Sequence, residues 1–372
     1  SLGNQVMDNL GNFPYLATYG TNSSYNYLIN GSKPVIVKAP GLVASDFTWE
    51  TVTQMDFGFD ASFLNNRLTG TFDWYRRNTK DMLVAGATLP ATLGASVPKS
   101  NSADMKTIGW ELSLGWNDRL ENGFSYWVKG VLSDYQATIT KYAGNDAGFY
   151  SQSDGDGKYY VGQKIGEIWG YHSNGLFQSD DEAATIDQSE LYAGKWGAGD
   201  VKYEDLDGDG KITKGEETIY NPGDKSIIGN KTPRYQFGIT VGFDYKNFDF
   251  EMFWQGTGKR DYMLSGAQFW GFTSQWDVPY TPALDYWTET NTDAYFPRPG
   301  WQNGGNRVTS DRYLQSAAYG RLKNLTVGYT IPKNLTTKWG ISRLRLYVTG
   351  ENLLTITPLN DAFDPETLGG LT

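Results

Sequence analysis

Apolar and polar side chains alternate with a period of two in several windows of this 372-residue chain. From Tyr235, the residues Tyr235, Phe237, Ile239, Val241, Phe243 and Tyr245 share one face of an extended segment. Gln236, Gly238, Thr240, Gly242, Asp244 and Lys246 share the other. The same pattern sets Ile108, Trp110, Leu112, Leu114 and Trp116 against Gly109, Glu111, Ser113 and Gly115. It also sets Met55, Phe57, Phe59, Ala61 and Phe63 against Asp56, Gly58, Asp60 and Ser62. Each run is about ten residues, the length a tilted strand needs to cross a bilayer. Helical periodicity is nearly absent. The pattern predicts about eight strands, over 52–63, 66–77, 105–118, 123–137, 231–246, 248–259, 318–331 and 342–355.

The predicted connections alternate in length. Asn65-Asn66, 118–123 and Lys246-Asn247 are short, 332–341 is moderate, and 78–104, 138–230 and 260–317 are long. Short turns at one end and long loops at the other describe an outer-membrane barrel. A soluble β-sandwich alternates in the same way. It has no reason to gather its long loops at one end, or to place aromatics such as Trp74, Tyr75, Trp116 and Tyr329 near strand ends. The expected fold is therefore all-β, an antiparallel transmembrane β-barrel. Loops this long fit an arc of a larger barrel better than a small closed one.

Composition agrees. The chain holds 44 Gly, 25 Tyr, 18 Phe and 13 Trp, yet only 39% of its residues are hydrophobic. Polar lumen-facing positions dilute lipid-facing ones in just this way. Cysteine is absent, which excludes a disulfide framework, a thiol nucleophile and a cysteine zinc site. The net charge of −10, without any basic run, argues against nucleic-acid binding. No apolar stretch is long enough for a transmembrane helix. The sequence does not begin with Met, its first residues lack a basic n-region and an apolar h-region, and the last stop in a turn-like segment, so a longer parent chain is expected.

The sharpest local motif is DLDGDGKITKGE, residues 205–216. It matches the calcium loop D-x-D-x-D-G-x-I-x-x-x-E, whose spacing wraps hard oxygens around one ion. Asp205, Asp207 and Asp209 would give carboxylate oxygens and Lys211 its backbone carbonyl. Thr213 would hold a water or ligate directly, and Glu216 would close the site with two oxygens. No apolar helices flank the loop, so a structural Ca2+ is expected rather than a switch. The alternative is a solvated acidic turn. A second patch, Asp154-Gly155-Asp156-Gly157, lacks a closing ligand and reads as plain loop.

The single histidine, His172, has no nucleophile motif beside it and reads as a loop residue. No paired carboxylates stand out, and Glu111 and Glu351 read as lumen-facing polar residues. Gly256-Thr257-Gly258 lacks a phosphate-loop pattern. Enzymatic chemistry is therefore not expected. The long loops carry Trp169, Tyr171, Trp196, Trp270, Trp276, Tyr286, Trp287 and Trp301. Such rings stack on sugar faces in a binding vestibule, or they pack the loops on one another. Trp169, Tyr171, Trp270, Trp276, Trp287 and Trp301 are the substrate-binding candidates.

Four segments carry a family resemblance. They are FTWETVTQMDFGFDASFLNNRLTGTFDWYRRNTKDML at 47–83 and GQKIGEIWGYHSNGLFQSDDE at 162–182. GAGDVKYEDLDGDGKIT at 197–213 leads on to the strand pair at 227–261, and YGRLKNLTVGYTIPKNL precedes LRLYVTGENLLTIT at 344–357. In this order they resemble the C-terminal barrel portion of SusC/RagA-type TonB-dependent outer-membrane transporters. The resemblance implies an arc of a 22-strand barrel in a Gram-negative outer membrane, with the plug and the TonB-contacting segment outside residues 1–372. It implies import of a bulky nutrient, an oligosaccharide or a peptide, with a SusD-like surface lipoprotein and the TonB complex as partners. The competing expectation is a soluble, calcium-stabilised carbohydrate-binding β-protein.

Overall fold

The computed structural model describes residues 48–85, 97–143 and 159–368 throughout, and 2–5, 16–22, 28, 31–33, 35–38, 40–44, 92, 145 and 148 besides. In chain order, β1 (Leu2–Gln5), β2 (Gly20–Asn22) and β3 (Ile36–Lys38) precede four long strands. These are β4 (Glu50–Phe63), β5 (Leu68–Ala85), β6 (Lys99–Arg119) and β7 (Ser125–Tyr142). Four short strands follow: β8 (Glu167–Tyr171), β9 (Ser173–Leu176), β10 (Val201–Tyr203) and β11 (Lys225–Asn230). Then come β12 (Arg234–Tyr245), β13 (Phe248–Lys259), β14 (Asp261–Met263), β15 (Leu314–Ser316), β16 (Tyr319–Thr330) and β17 (Arg345–Ile356).

One sheet of nine strands, ordered β1-β4-β5-β6-β7-β12-β13-β16-β17, forms the wall. Every neighbouring pair is antiparallel. All eight expected strands are present, and β1 adds a ninth against β4. No helix is long and apolar enough to cross a membrane among the described residues, which leaves crossing by strands untouched.

Register turns the alternation of single strands into two continuous surfaces, because directly paired residues point the same way. One row runs Phe59, Phe72, Leu112, Leu132, Phe237. A parallel row runs Tyr126, Phe243, Phe250, Val327, Val348. On the opposite face, Gly58, Asp73, Glu111, Ser133, Gln236 and Thr257 fall in one row. Large apolar side chains on the first face stay bare, Phe57 at 67% and Val348 at 77% exposure. Water would penalise such a surface, whereas lipid accepts it. The soluble alternative fails on this face.

The tight turns run through left-handed backbone, which asparagine tolerates better than most residues. Leu64, Asn65 and Asn66 have φ of 54, 57 and 66°, and Lys246 has 55°. Ser62 Oγ donates to Asn66 Oδ1 at 2.6 Å and steadies the first turn. At this end Phe248 and Tyr329 meet at a tilt with ring centroids 4.7 Å apart, and Phe243 and Phe250 stack at 5.1 Å, an aromatic girdle.

The expected long loops are shorter than the alternation implied. The segment 78–104 is mostly hairpin, since β5 runs on to Ala85 and β6 starts at Lys99. Charges at Arg76, Arg77, Lys80 and Asp81 break the apolar pattern there. The ladder continues through a register shift between Thr79 and Met82, next to Asp81 with φ 56°. This extension buries Ala103, Ile139 and Tyr142 against Met82, Val84, Met105 and Ile165. Likewise 159–230 and 260–317 are folded rather than loose.

Candidate binding site in the crown

The loop ends of the wall carry a crown made from 159–230, 260–317 and 357–368. Its ladders are β8 with β11, β9 with β10, and β14 with β15, all antiparallel. Its core is aromatic. Tyr203 and Tyr313 are buried, and Phe269 touches Trp270, Phe296 and Tyr313 edge-on, at centroid distances of 5.0, 5.3 and 6.3 Å. Burial pushes the phenols of Tyr171, Tyr203 and Tyr313 up, so all three stay neutral. A Cβ on Gly170 would lie 2.7 Å from the Thr309 carbonyl, so only glycine lets β8 approach that segment.

Several polar groups inside the crown are matched, although Trp287 Nε1 and Ser310 Oγ are buried without a hydrogen-bond partner. Asp200, 2% exposed, accepts from Asn306 Nδ2 at 2.8 Å and from the Gly197 amide at 2.9 Å. Arg298 approaches the same carboxylate at 3.3 Å. Gln188 bridges the backbone of Val201 and Tyr203 at 3.0 and 2.8 Å. The Asp200 contacts with Asn306 and Arg298 join segments about a hundred positions apart, and nothing local in the sequence announces them.

Where crown meets wall there is a cavity of about 650 Å³. Tyr135 contributes from β7, on the polar face in the row of Asp56, Tyr75 and Gly109. Lys231 and Arg260 flank it from the outer ends of β12 and β13, and Tyr262, Trp270 and Arg307 close it from the crown. A second cavity of about 350 Å³, lined by Trp169, Tyr171, Lys225 and Glu190, shares Arg307 and Thr309 with the first. The size suits a small ligand or a segment of a longer one.

In the acidic loop three of the carboxylates named from the spacing come together. Ligand atoms of Asp205, Asp207 and Asp209 lie within 4.8 Å of one another. Asp205 accepts from the amides of Gly208 and Gly210 at 2.6 and 2.7 Å, and Asp209 from Lys211 at 2.8 Å. These bonds, led by Gly210, hold the Asp205 carboxyl below its usual range. The Asp209 amide favours charge on Asp207. Desolvation and the carboxylates of Asp209, Asp224 and Asp205 outweigh it and push that carboxyl up. Thr213 directs its amide to Asp224 Oδ2 at 2.7 Å. Glu216 is not in the carboxylate cluster; its amide donates to the Asn221 carbonyl at 3.0 Å. The next residue, Glu217, has left-handed backbone with φ 53°. Asp224, buried and bonded to the amides of Leu206 and Thr213, sits beside the loop in its place. Asp154-Gly155-Asp156-Gly157 lies outside the described residues.

His172 is less solitary than its sequence context implied. Its Nδ1 lies 2.7 Å from Asp311 and its Nε2 2.7 Å from Ser226 Oγ. Asp311 also accepts from the Ser173 amide at 2.8 Å. Ser226 belongs to the β11 ladder, opposite Gly170. The array clamps three crown segments together.

The aromatic candidates divide sharply. Trp169, Tyr171 and Trp287 are buried among the crown's own side chains, and Trp270 packs on its core while lining the larger cavity. Trp196 and Tyr286 also pack on that core. Trp276 and Trp301 remain open, at 82% and 47% exposure. Sequence reasoning missed Lys231, Arg260 and Arg307, because a cation in a loop carries no periodic signal.

The sequence matches the TonB dependent receptor-like, beta-barrel family over residues 8–353. It is 30% identical to a TonB-dependent receptor of Formosa agariphila, over 95% of this chain and 34% of the relative. It is 25% identical to the TonB-dependent receptor SusC of Bacteroides thetaiotaomicron, over 98% of this chain and 34% of that protein. The chain thus spans about a third of the length of these relatives. In structure it is similar to the RagAB peptide importer in its closed-closed state, with a TM-score of 0.73 at 22% identity, over 99% of this chain and 38% of the other. At that identity the likeness speaks for the fold.

Proposed function

Because the chain belongs to the TonB-dependent receptor β-barrel family, whose SusC/RagA members are non-enzymatic outer-membrane proteins crossing by strands, we propose that it forms wall and crown of an oligosaccharide importer. A SusD-like surface lipoprotein covers the crown in this reading, and a TonB complex supplies energy through parts of the protein outside these residues. The β1 and β17 edges of the nine-stranded wall pair with further strands of the same barrel, since lipid offers an open edge no partner.

One observation supports the reading: a cavity lined in part by aromatic rings lies between the crown and the polar face of the wall. Tyr135, Tyr262 and Trp270 offer ring faces to sugar C–H surfaces. Uptake of labelled oligosaccharide and of labelled peptide, in cells with and without the gene, tests it. Gene-dependent entry of oligosaccharide alone is expected. Gene-dependent entry of peptide alone would replace the reading with a peptide importer.

The 205–213 loop holds a structural Ca2+ in the same reading. Three convergent carboxylates, one held above its usual range by its neighbours, make a donor set that fits a hard divalent cation. Asp205, Asp207 and Asp209 would hold the ion with the Lys211 carbonyl, and the ion would pin the crown loop. Calorimetry on the complete protein should show calcium heats that vanish in Asp205→Asn. Equal heats in that variant, or none in the parent, would remove calcium from the account.

A further inference from the structure

Three cations converge on the cavity between crown and wall, and no carboxylate lines it. That is unusual in a chain of net charge −10. Elsewhere in the wall, arginines meet acids. Arg234 pairs with Asp134, Arg345 with Asp249, and Arg321 with Asp364 and Glu366. Lys231, Arg260 and Arg307 belong to none of the ion pairs among the described residues.

Two of the three are fixed in place. Arg260 donates to the carbonyls of Lys231, Pro365 and Leu368 at 3.2, 3.4 and 2.7 Å. Arg307 donates to those of Phe272, Gly300 and Trp301 at 3.1, 3.4 and 3.1 Å. Carbonyls satisfy the N–H groups but contribute only partial charges, so the guanidinium charges persist without a full counter-charge. Asp277, the acid whose field reaches Arg307, is already engaged by Thr273 and Ser274. Lys231 is exposed and its ammonium is free of such tethers, able to swing towards a ligand.

We propose that this cavity is a subsite for an anionic substituent, a carboxylate or a sulfate, on the imported oligosaccharide. Tyr135, Tyr262 and Trp270 face the sugar rings while Lys231, Arg260 and Arg307 supply the field that selects the anion. The inference rests on the oligosaccharide reading above and narrows its substrate class.

The test uses the complete transporter in detergent. It is offered a pool of neutral, uronate-bearing and sulfated oligosaccharides, and the bound fraction is identified by mass spectrometry. A tryptic peptide pool is offered in parallel. Uronate or sulfate sugars should be enriched about ten-fold over neutral ones at low salt, the equivalent of one charge-assisted contact. The enrichment should shrink as NaCl screens the field. Lys231→Glu should abolish it while heat-modifiable mobility, which reports a folded barrel, stays as in the parent. Arg260→Lys and Arg307→Lys should retain part of it, since they keep the charge. Which anion is enriched separates carboxylate from sulfate. Retention of neutral sugars at equal or higher level overturns this inference and leaves the oligosaccharide reading standing. Anionic enrichment that survives Lys231→Glu overturns the assignment to this cavity. Retention of peptides and of no sugar overturns both.

Discussion

Wall and crown solve opposite problems with one chain. The wall is a single layer whose apolar side chains point outwards and stay bare, so its stability comes from ladder hydrogen bonds and lipid. The crown is a small globular body whose apolar side chains turn inwards around Tyr203, Tyr313 and Phe269. Phe59 and Phe243 on the wall face what Phe269 in the crown avoids. Identical residue types therefore carry opposite information in the two regions. In the wall an aromatic marks the lipid surface; in the crown it marks the core.

Substitutions should separate the regions, the largest effect first. Phe269→Ala removes a fully packed ring and should cost the crown about 3–5 kcal/mol. Proteolysis should then cut within 260–317 while the wall keeps its heat-modifiable mobility. Val241→Arg, on the apolar face between Val128 and Met252, should cost about 2–4 kcal/mol in assembly into the membrane. Thr240→Arg, one residue away on the polar face, should leave outer-membrane levels near those of the parent. If the two arginine variants behave alike, the face assignment is wrong. Asp200→Ala leaves Asn306, the Gly197 amide and Arg298 without their shared acceptor. It should loosen the crown by about 1–3 kcal/mol, read as faster hydrogen exchange at 197–201. Trp276→Ala, at an exposed ring, should change stability by less than about 0.5 kcal/mol. Any larger loss would show that the ring packs where it is now placed in the open.

Acid should also act on the crown first. The Thr273 hydroxyl, with the amides of Thr273 and Ser274, holds the Asp277 carboxyl below its usual range. Asp277 therefore contributes stability above the unfolded carboxylate value and loses it as pH falls through the folded one. Asp180, held down chiefly by Lys195, has the same sign. Asp207 has the opposite sign, since its raised carboxyl is relieved by protonation.

The wall was legible in the sequence because its constraint is local. A period of two needs only neighbouring residues, and Tyr235 to Tyr245 state it outright. Hairpin turns such as Asn65-Asn66 were legible for the same reason. The extension of β5 to Ala85 was not, because outside the bilayer nothing requires alternation and the Arg76–Asp81 charges erase it. The crown was hidden because its contacts are long-range. Asp200 finds Asn306 only when β10 and the 304–307 turn are brought together. The spacing of Asp205, Asp207 and Asp209 was readable and the cluster formed, yet Glu216 stays outside it, its amide bonded to the Asn221 carbonyl, a contact that the motif's spacing does not announce. Trp169 and Trp276 looked equivalent in the sequence, and only burial distinguishes them.

The most direct test of the two-faced wall uses the absence of native cysteine in this chain. Single cysteines placed in turn from 236 to 245 carry a nitroxide label in the complete protein, reconstituted in bilayers. Collision with oxygen, which partitions into lipid, is compared with collision with a water-soluble nickel complex. The account predicts a strict period of two, with 237, 239, 241 and 243 oxygen-accessible and 236, 238, 240 and 242 shielded from it. Equal accessibility to the nickel complex at odd and even positions would contradict it.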